Sequence, residues 1–137
     1  FITKILKKKV RIMLEILVCE DVGITKNLYQ NCGIDYNEKY LAIRAMNGDE
    51  CLGFALFLIE GEKETVFAVE PKEDIMLADG LLRSALHVGT ERGITDAFHY
   101  GSNYEDLYAK IDFIESNEEK RLKLQNLFSD CCHCNKE

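Results

Sequence analysis

Three apolar segments joined by short polar turns constrain the fold of this chain more than any other feature of its sequence. Residues 40–46 (YLAIRAM) and 51–59 (CLGFALFLI) predict two strands. The Asn-Gly pair between them is typical of a hairpin turn, because both residues accept a positive φ cheaply. Residues 64–69 (ETVFAV) predict a third strand that stops at Pro71, since proline cannot donate to a ladder. We therefore expect a three-stranded meander at the centre of a sheet.

Strand and helix patterns alternate on both sides of this meander. Residues 10–19 predict a strand, and Asp21 is placed to cap a short helix that runs through Tyr29 and stops at Gly33. Apolar residues recur at helical spacing in 74–92, which predicts the longest helix. The other expected elements are a strand at 94–99, a helix at about 103–111 capped by Ser102 or Asn103, and hairpin arms at 113–115 and 121–128.

This order of elements predicts the fold class. A meander followed by strand-helix alternation indicates an α/β (α+β) protein with helices on both faces of its sheet. The sheet is expected to be mixed and mostly antiparallel, with about six or seven strands.

The charge distribution divides the chain into three parts. Residues 1–12 carry five basic residues and no acid, whereas the whole chain has a net charge of −7. We interpret 1–12 as a basic extension, whose native status is left open, 13–128 as the folded domain and 129–137 as a cysteine-rich tail. An acidic domain repels a polyanion, so nucleic acid is not an expected partner. No apolar run has the length of a membrane-spanning helix, so no membrane association is expected.

The cysteines indicate a reducing, cytoplasmic environment. The chain has six cysteines, and three of them lie within 131–134, a spacing that is poor for cross-linking a fold. Cys131 and Cys134 form a C-x-x-C pair that could supply half of a tetrahedral zinc site. Because no second pair is present, we predict free thiols and no metal site.

Several segments together resemble the GNAT superfamily of acetyl-CoA-dependent N-acetyltransferases. Residues 47–55 (NGDECLGFA) resemble the turn and third strand of that family, and residues 69–71 (VEP) are similar to the end of its fourth strand. The leucine pair at 81–82 is similar to one in the family's signature helix, and residues 103–113 (NYEDLYAKIDF) resemble its Asn-led helix. The resemblance covers roughly residues 10–128.

The resemblance implies an acyl-CoA-dependent N-acyltransferase in which an amine of a small molecule or peptide attacks the thioester of acetyl-CoA directly. It implies that Tyr108 is the general acid for the leaving thiolate. Glu70 is the candidate general base, directly or through a water, because it lies at the end of the central strand. The residues that it places at the cosubstrate are Ala68, Val69, Asp74, Leu77, Ala78, Asp79 and Asn103. Simpler roles stay open, with Tyr108 as a core tyrosine, Glu70 as a solvated carboxylate and Asn103 as a helix cap.

The loop that would receive the phosphates departs from the family pattern. Glu73 stands where the family has a basic or amide residue and Met76 where it has glycine, whereas Ala78 matches. The nearby acids are Glu70, Glu73, Asp74 and Asp79, against the cations Lys72 and Arg83. Since like charges repel, the second hypothesis is a GNAT-fold binding or regulatory module without transferase activity, for which a homodimer stays open. The fold itself predicts a sheet that parts after residue 69, beside helix 74–92.

Overall fold

The helices and strands follow one another in the order that the sequence patterns predict. The structure is a computed structural model that describes residues 14–125 and 127. The described elements are β1 (Leu14–Val18), α1 (Val22–Asn31), β2 (Leu41–Asn47), β3 (Glu50–Glu60), β4 (Lys63–Glu70), α2 (Ile75–Glu91), β5 (Asp96–His99), α3 (Glu105–Lys110), β6 (Ile114–Ser116) and β7 (Arg121–Leu122). Among the described helices, none has the length and apolar character that crossing a membrane requires.

The described strands form a single sheet in the order β1-β2-β3-β4-β5-β7-β6. β4 and β5 run parallel, and every other pair of neighbours in this sheet is antiparallel. The meander is present as predicted, and Gly48 in its first turn has φ 64. Ala55, Leu56 and Phe57 in β3 have no exposed surface, so the middle strand of the meander lies in the core. The predicted mixed, mostly antiparallel sheet is confirmed.

The two longer helices pack on opposite faces of the sheet. Asp21 caps α1 as predicted, since its carboxylate accepts a hydrogen bond from the backbone N–H of Ile24 at 3.1 Å. The Tyr29 hydroxyl of α1 donates to the backbone carbonyl oxygen of Phe57 at 3.1 Å, which fixes this helix over the middle strand. On the other face, a Cβ at Gly53 would lie 3.0 Å from Leu81 of α2 and 2.6 Å from the Glu70 carbonyl oxygen. Glycine at this position therefore lets α2 and the end of β4 approach β3 closely.

A β-bulge in β4 decides which face its last residues occupy. Leu56 of β3 pairs with Ala68, and the next residue, Phe57, pairs with Val66, so Phe67 is an extra residue on β4. Glu64 and Glu70 are an even number of residues apart and would share one face of a regular strand. The extra residue moves Glu70 to the α1 face, while Glu64 stays on the α2 face.

Two predicted details at the C-terminal side are wrong. β7 ends at Leu122 rather than at residue 128, and its two residues pair with the short strand β5 on one side and with β6 on the other. α3 has Tyr104 at its N-cap position with no side-chain hydrogen bond, so neither Ser102 nor Asn103 caps it. Residues 101–104 form a turn instead, so the helix begins only at Glu105. Parts of the predictions for 1–12, 10–19, 121–128 and 129–137 lie outside the described residues.

Candidate active site

The sheet parts at the carboxyl end of β4. The parallel pairing of β4 with β5 runs from Lys63–Asp96 to Val66–His99, and the Tyr100 N–H then donates to the Val66 carbonyl oxygen at 2.9 Å. Beyond this point the pairs recorded for β4 in the described sheet are with β3 alone. The predicted parting is present, but it starts at Phe67 rather than after residue 69. The bulge at Phe67 explains the earlier start, because a bulge bends its strand and disrupts the ladder.

Two cavities flank this opening. The first, which we call the α1-side cavity, has a volume of about 190 Å³. Residues of its wall include Cys32, Ile34, Phe67, Ala68, Tyr100 and Tyr104. The second, the α3-side cavity, has a volume of about 250 Å³ and is lined by Lys72, Glu73, Asn103, Asp106, Leu107 and Lys110. Asn103 borders both cavities, so they meet at the turn before α3.

Glu70 lies at this opening and is held in place by a tyrosine. The Tyr104 hydroxyl donates to Glu70 Oε2 at 2.5 Å, and the backbone N–H of Lys72 donates to Glu70 Oε1 at 3.3 Å. Burial raises the pKa of Tyr104, and the hydrogen bond to Glu70 raises it further, so the phenol stays protonated and acts as donor. Glu70 is half-buried and accepts both of these hydrogen bonds.

Sequence patterns miss Tyr104, although it is the residue that orients Glu70. Its only sequence signal is its position directly after Asn103 in the Asn-led motif. The contact joins residues that are distant in sequence, and it depends on the bulge that turns Glu70 toward α1.

Tyr108 is almost completely buried next to Tyr104, and it is not among the residues that line the two cavities. Its ring packs against His99 at a centroid distance of 5.3 Å and against Tyr104 at 6.2 Å. Its hydroxyl has no hydrogen-bond partner among the described residues. Burial raises the pKa of Tyr108, and Tyr104 and Glu70 add to the rise. An unpaired buried hydroxyl costs stability, so this group is placed as a donor that lacks an acceptor.

The loop before α2 is already partly occupied by its own acids. Asp74 caps α2, since its carboxylate accepts from the Leu77 N–H at 3.2 Å, and the Ala78 N–H bonds to the Asp74 carbonyl oxygen at 2.9 Å. Asp79 forms an ion pair with Arg83 at 3.1 Å. Of the predicted cosubstrate residues, Ala68 and Asn103 line the cavities, whereas Val69 is buried on the α2 face. Leu77 and Asp79 do not line either of these two cavities.

Metal-binding chemistry has no support in the residues that the structure describes. Residues 14–125 and 127 contain no group of three or more His, Cys, Asp or Glu side chains that could hold a metal ion. The C-x-x-C pair of the tail lies outside these residues.

Comparison with known proteins identifies the fold. No family model and no curated protein matches the chain. The ribosomal-protein-S18-alanine N-acetyltransferase from Escherichia coli matches with TM-score 0.54 and 16% identity, over 80% of this chain and 88% of its own. An aminoglycoside acetyltransferase from an uncultured soil metagenomic sample, in complex with sisomicin, gives 0.52 and 10%, over 72% and 86%. A Bacillus subtilis acetyltransferase in complex with CoA gives 0.51 and 18%, over 73% and 76%.

Two of these proteins are named for different acceptors, an aminoglycoside and the alanine of a ribosomal protein, and both share the architecture of this chain. GNAT-family acetyltransferases from Desulfovibrio desulfuricans and Streptococcus pneumoniae match it as well. At identities this low the likeness shows the fold, and the predicted resemblance is confirmed at that level.

Proposed function

We propose that this chain, which has the GNAT fold, is an acyl-CoA-dependent N-acetyltransferase acting on an amine of a small molecule or peptide. The observation that carries the proposal is the parting of β4 from β5 after Val66, with Glu70 and Tyr104 at the opening and the Tyr108 ring packed against Tyr104. Acetyl-CoA, as cosubstrate, would supply an acetyl group activated as a thioester.

The residues around the opening fit the reactive end of this cosubstrate. The buried Tyr108 hydroxyl lacks an acceptor among the described residues, and a departing thiolate would provide one. The edge of β4 at Ala68, beyond the last β5 pair, is the expected place for backbone groups that polarise a carbonyl. Asn103, at the junction of the two cavities, would border the arm of the cosubstrate.

Two residues take the proton-transfer roles. Glu70, oriented by the Tyr104 hydroxyl, would accept a proton from the ammonium form of the acceptor, directly or through a water. Tyr108 would give its proton to the thiolate. Burial raises the pKa of Tyr108, so the phenol holds its proton at neutral pH and is available as a donor.

The phosphate end fits less well. Lys72 and Lys110 line the α3-side cavity and provide positive charge, but Glu73 and Asp106 line it too. Asp74 already occupies the Leu77 N–H at the start of α2, which would otherwise be free for an anion. Asp74, Leu77 and Asp79 therefore support the helix rather than the phosphates, and we expect weak, salt-sensitive binding of CoA.

Replacing Tyr108 by phenylalanine tests the proposal. The change removes an unpaired buried hydroxyl, so stability should hold or rise, whereas turnover should fall by about 10²-fold, as is usual for a lost general acid. Thiol release from acetyl-CoA in the presence of amines measures turnover, and Tyr36→Phe, on the loop after α1, serves as the matched control. Unchanged turnover would show that Tyr108 is a core-packing residue and not the general acid. No binding of acetyl-CoA at millimolar concentration, by calorimetry, would favour the inactive binding module.

A further inference from the structure

We infer that the acceptor is a small amine whose single positive charge is carried on a flat apolar body. This inference rests on the proposed function, because it names the substrate class of the same site. The aromatic side chains of Tyr100, Phe67 and Tyr104, together with the carboxylate of Glu70, carry it.

The two cavities at the opening differ in whether charged side chains line them. The α3-side cavity is lined by two lysines and two acids, and it lies beside the N-terminus of α2, whose dipole favours an anion, so we assign it to the anionic donor. None of the described residues that line the α1-side cavity carries a charge. The acceptor therefore enters from the α1 side and meets the donor near Asn103, which borders both cavities.

Aromatic rings form much of the wall on the acceptor side. Phe67 and Tyr100 pack edge to face at a centroid distance of 5.7 Å, and Tyr104 stands across the cavity. Tyr100 is 63% exposed, so most of its ring is free to contact a ligand. Rings of this kind bind flat apolar groups by stacking and attract an ammonium group to their faces.

The other described walls of this cavity carry no charged side chain. Burial raises the pKa of the Cys32 thiol, and the neighbouring Glu70 raises it further, so this side chain stays neutral. A third cavity of about 280 Å³ lies on the same face, and its lining includes Leu28, Leu52, Phe54 and Glu70. Among the described residues of that lining, Glu70 alone has a carboxyl group. A carboxylate set in an apolar wall provides for one positive charge.

Charge and size both exclude a polycation. A ligand with several ammonium groups needs several carboxylates at contact distance, because each desolvated charge requires a partner. Only Glu70 is available on the described walls of the acceptor side. The α1-side cavity, at about 190 Å³, is also smaller than the range of roughly 300–1,000 Å³ that holds drug-sized ligands. The structure therefore favours a small monoamine.

Acceptor competition tests this inference with four probes. These are 2-phenylethylamine, n-propylamine, spermidine and a short peptide that begins with alanine, all in 0.15 M salt so that the net charge of the protein does not dominate binding. We expect kcat/KM for 2-phenylethylamine to exceed that for each of the other three by about tenfold or more. Equal or better transfer to spermidine or to the peptide would overturn the inference and leave the proposed function standing.

Substitution at Tyr100 separates recognition from chemistry. Tyr100→Ala should raise KM for 2-phenylethylamine about fivefold or more with little change in kcat, as expected for a lost ring contact, and Tyr100→Phe, which keeps the ring, should raise KM less. KM for n-propylamine should change less. The same KM for 2-phenylethylamine in Tyr100→Ala and the parent would overturn the assignment of this wall.

Amine binding measured in the absence of acetyl-CoA distinguishes a failure of the proposed function from a failure of the inferred ligand class. If no amine is acetylated, the proposed function fails. A titration of the protein with 2-phenylethylamine, monitored by NMR, then still tests whether the α1-side cavity binds this amine. Binding that weakens at least fivefold in Tyr100→Ala supports the inferred ligand class, and binding no tighter than that of n-propylamine overturns it.

Discussion

The two ends of β4 carry the same residue in opposite circumstances. Glu64 at the first end lies between two paired strands with no exposed surface, while Glu70 at the last end lies where β5 has turned away. Both carboxylate oxygens of Glu64 lack a hydrogen-bond partner among the described residues, whereas Glu70 accepts from Tyr104 and from the Lys72 backbone. The difference arises from one extra residue, Phe67, which moves Glu70 to the other face.

The first end of β4, which we call the closed end, shows how a buried glutamate without a hydrogen-bond partner is accommodated. Burial raises the pKa of Glu64 to about 8, against the opposing influence of Arg92, so the carboxyl is mostly protonated at neutral pH. Its side chain fills the space above Gly89 of α2. A neutral carboxyl behaves there as a packing group, whereas the carboxyl group at the open end is hydrogen-bonded to Tyr104 and to the Lys72 backbone.

Replacing each of the two glutamates by glutamine should give the largest difference in turnover between the two ends of β4. Glu70→Gln should reduce turnover by about 10²-fold or more, because the general base is lost, while stability changes little. Glu64→Gln is the matched control and should leave turnover within about twofold. Thiol release from acetyl-CoA with the best amine measures both, and equal losses in the two variants would show that position on the strand does not separate their roles.

Packing at the closed end gives the next largest effect. A Cβ at Gly89 would lie 1.9 Å from Glu64 Oε1 and 2.8 Å from Ile94, so Gly89→Ala should destabilise the fold by about 1–3 kcal/mol. At Gly80 in the same helix the nearest atom is 3.6 Å away, so Gly80→Ala should be neutral or stabilising by up to about 1 kcal/mol. Urea denaturation compares the two. If both variants unfold at the same urea concentration, Glu64 does not pack against α2 as described.

The pH dependence of stability should single out Glu64. In the unfolded chain its pKa is about 4.3, and in the folded protein it is about 8, so the folded state keeps a proton that the unfolded state loses between these values. The stabilising effect is complete below about pH 4 and is lost as pH rises toward 8, at up to about 1.4 kcal/mol per pH unit. Glu64→Gln should flatten this decline, as measured by urea denaturation at several pH values. An unchanged pH profile would mean that Glu64 is ionised in the folded state.

The donor loop should give the smallest effect. Glu73→Arg with Met76→Gly should strengthen CoA binding about tenfold, equivalent to about 1.4 kcal/mol, because a repulsive charge becomes attractive and the backbone becomes accessible. Calorimetry at two salt concentrations measures it, with Glu91→Arg at the far end of α2 as the charge control. Tight binding by the parent with no gain in the double variant would show that the phosphates lie elsewhere.

How far the fold could be predicted depends on whether its causes are local. The Asn-Gly turn, the cap at Asp21 and the helical spacing of 74–92 are local signals, and the structure contains each element. The bulge at Phe67 depends on the register between two strands, which no single segment encodes. The predicted cap at Asn103 is wrong for a similar reason, because the contact of Tyr104 with Glu70 requires a turn at that position.

The same distinction applies to the site. Tyr108 and Glu70 could be selected by resemblance to a known motif, whereas Tyr104 became visible only through its partner on β4. The placement of Leu77 and Asp79 at the cosubstrate followed from alignment to a loop whose glycines are missing here. In the structure Leu77 and Asp79 make contacts at α2 instead, and these contacts do not support a role at the cosubstrate.

The central claim is that the open end of β4 is the site of acetyl transfer and the closed end is structural. Backbone chemical shifts recorded by NMR during titration with acetyl-CoA test it most directly. We predict that the largest changes fall on Phe67–Glu70 and on Asn103–Tyr108, with little change at Lys63–Val66, although both halves belong to one strand. Changes of equal size along the whole of β4, or none at Phe67–Glu70 when calorimetry shows binding, would contradict the account.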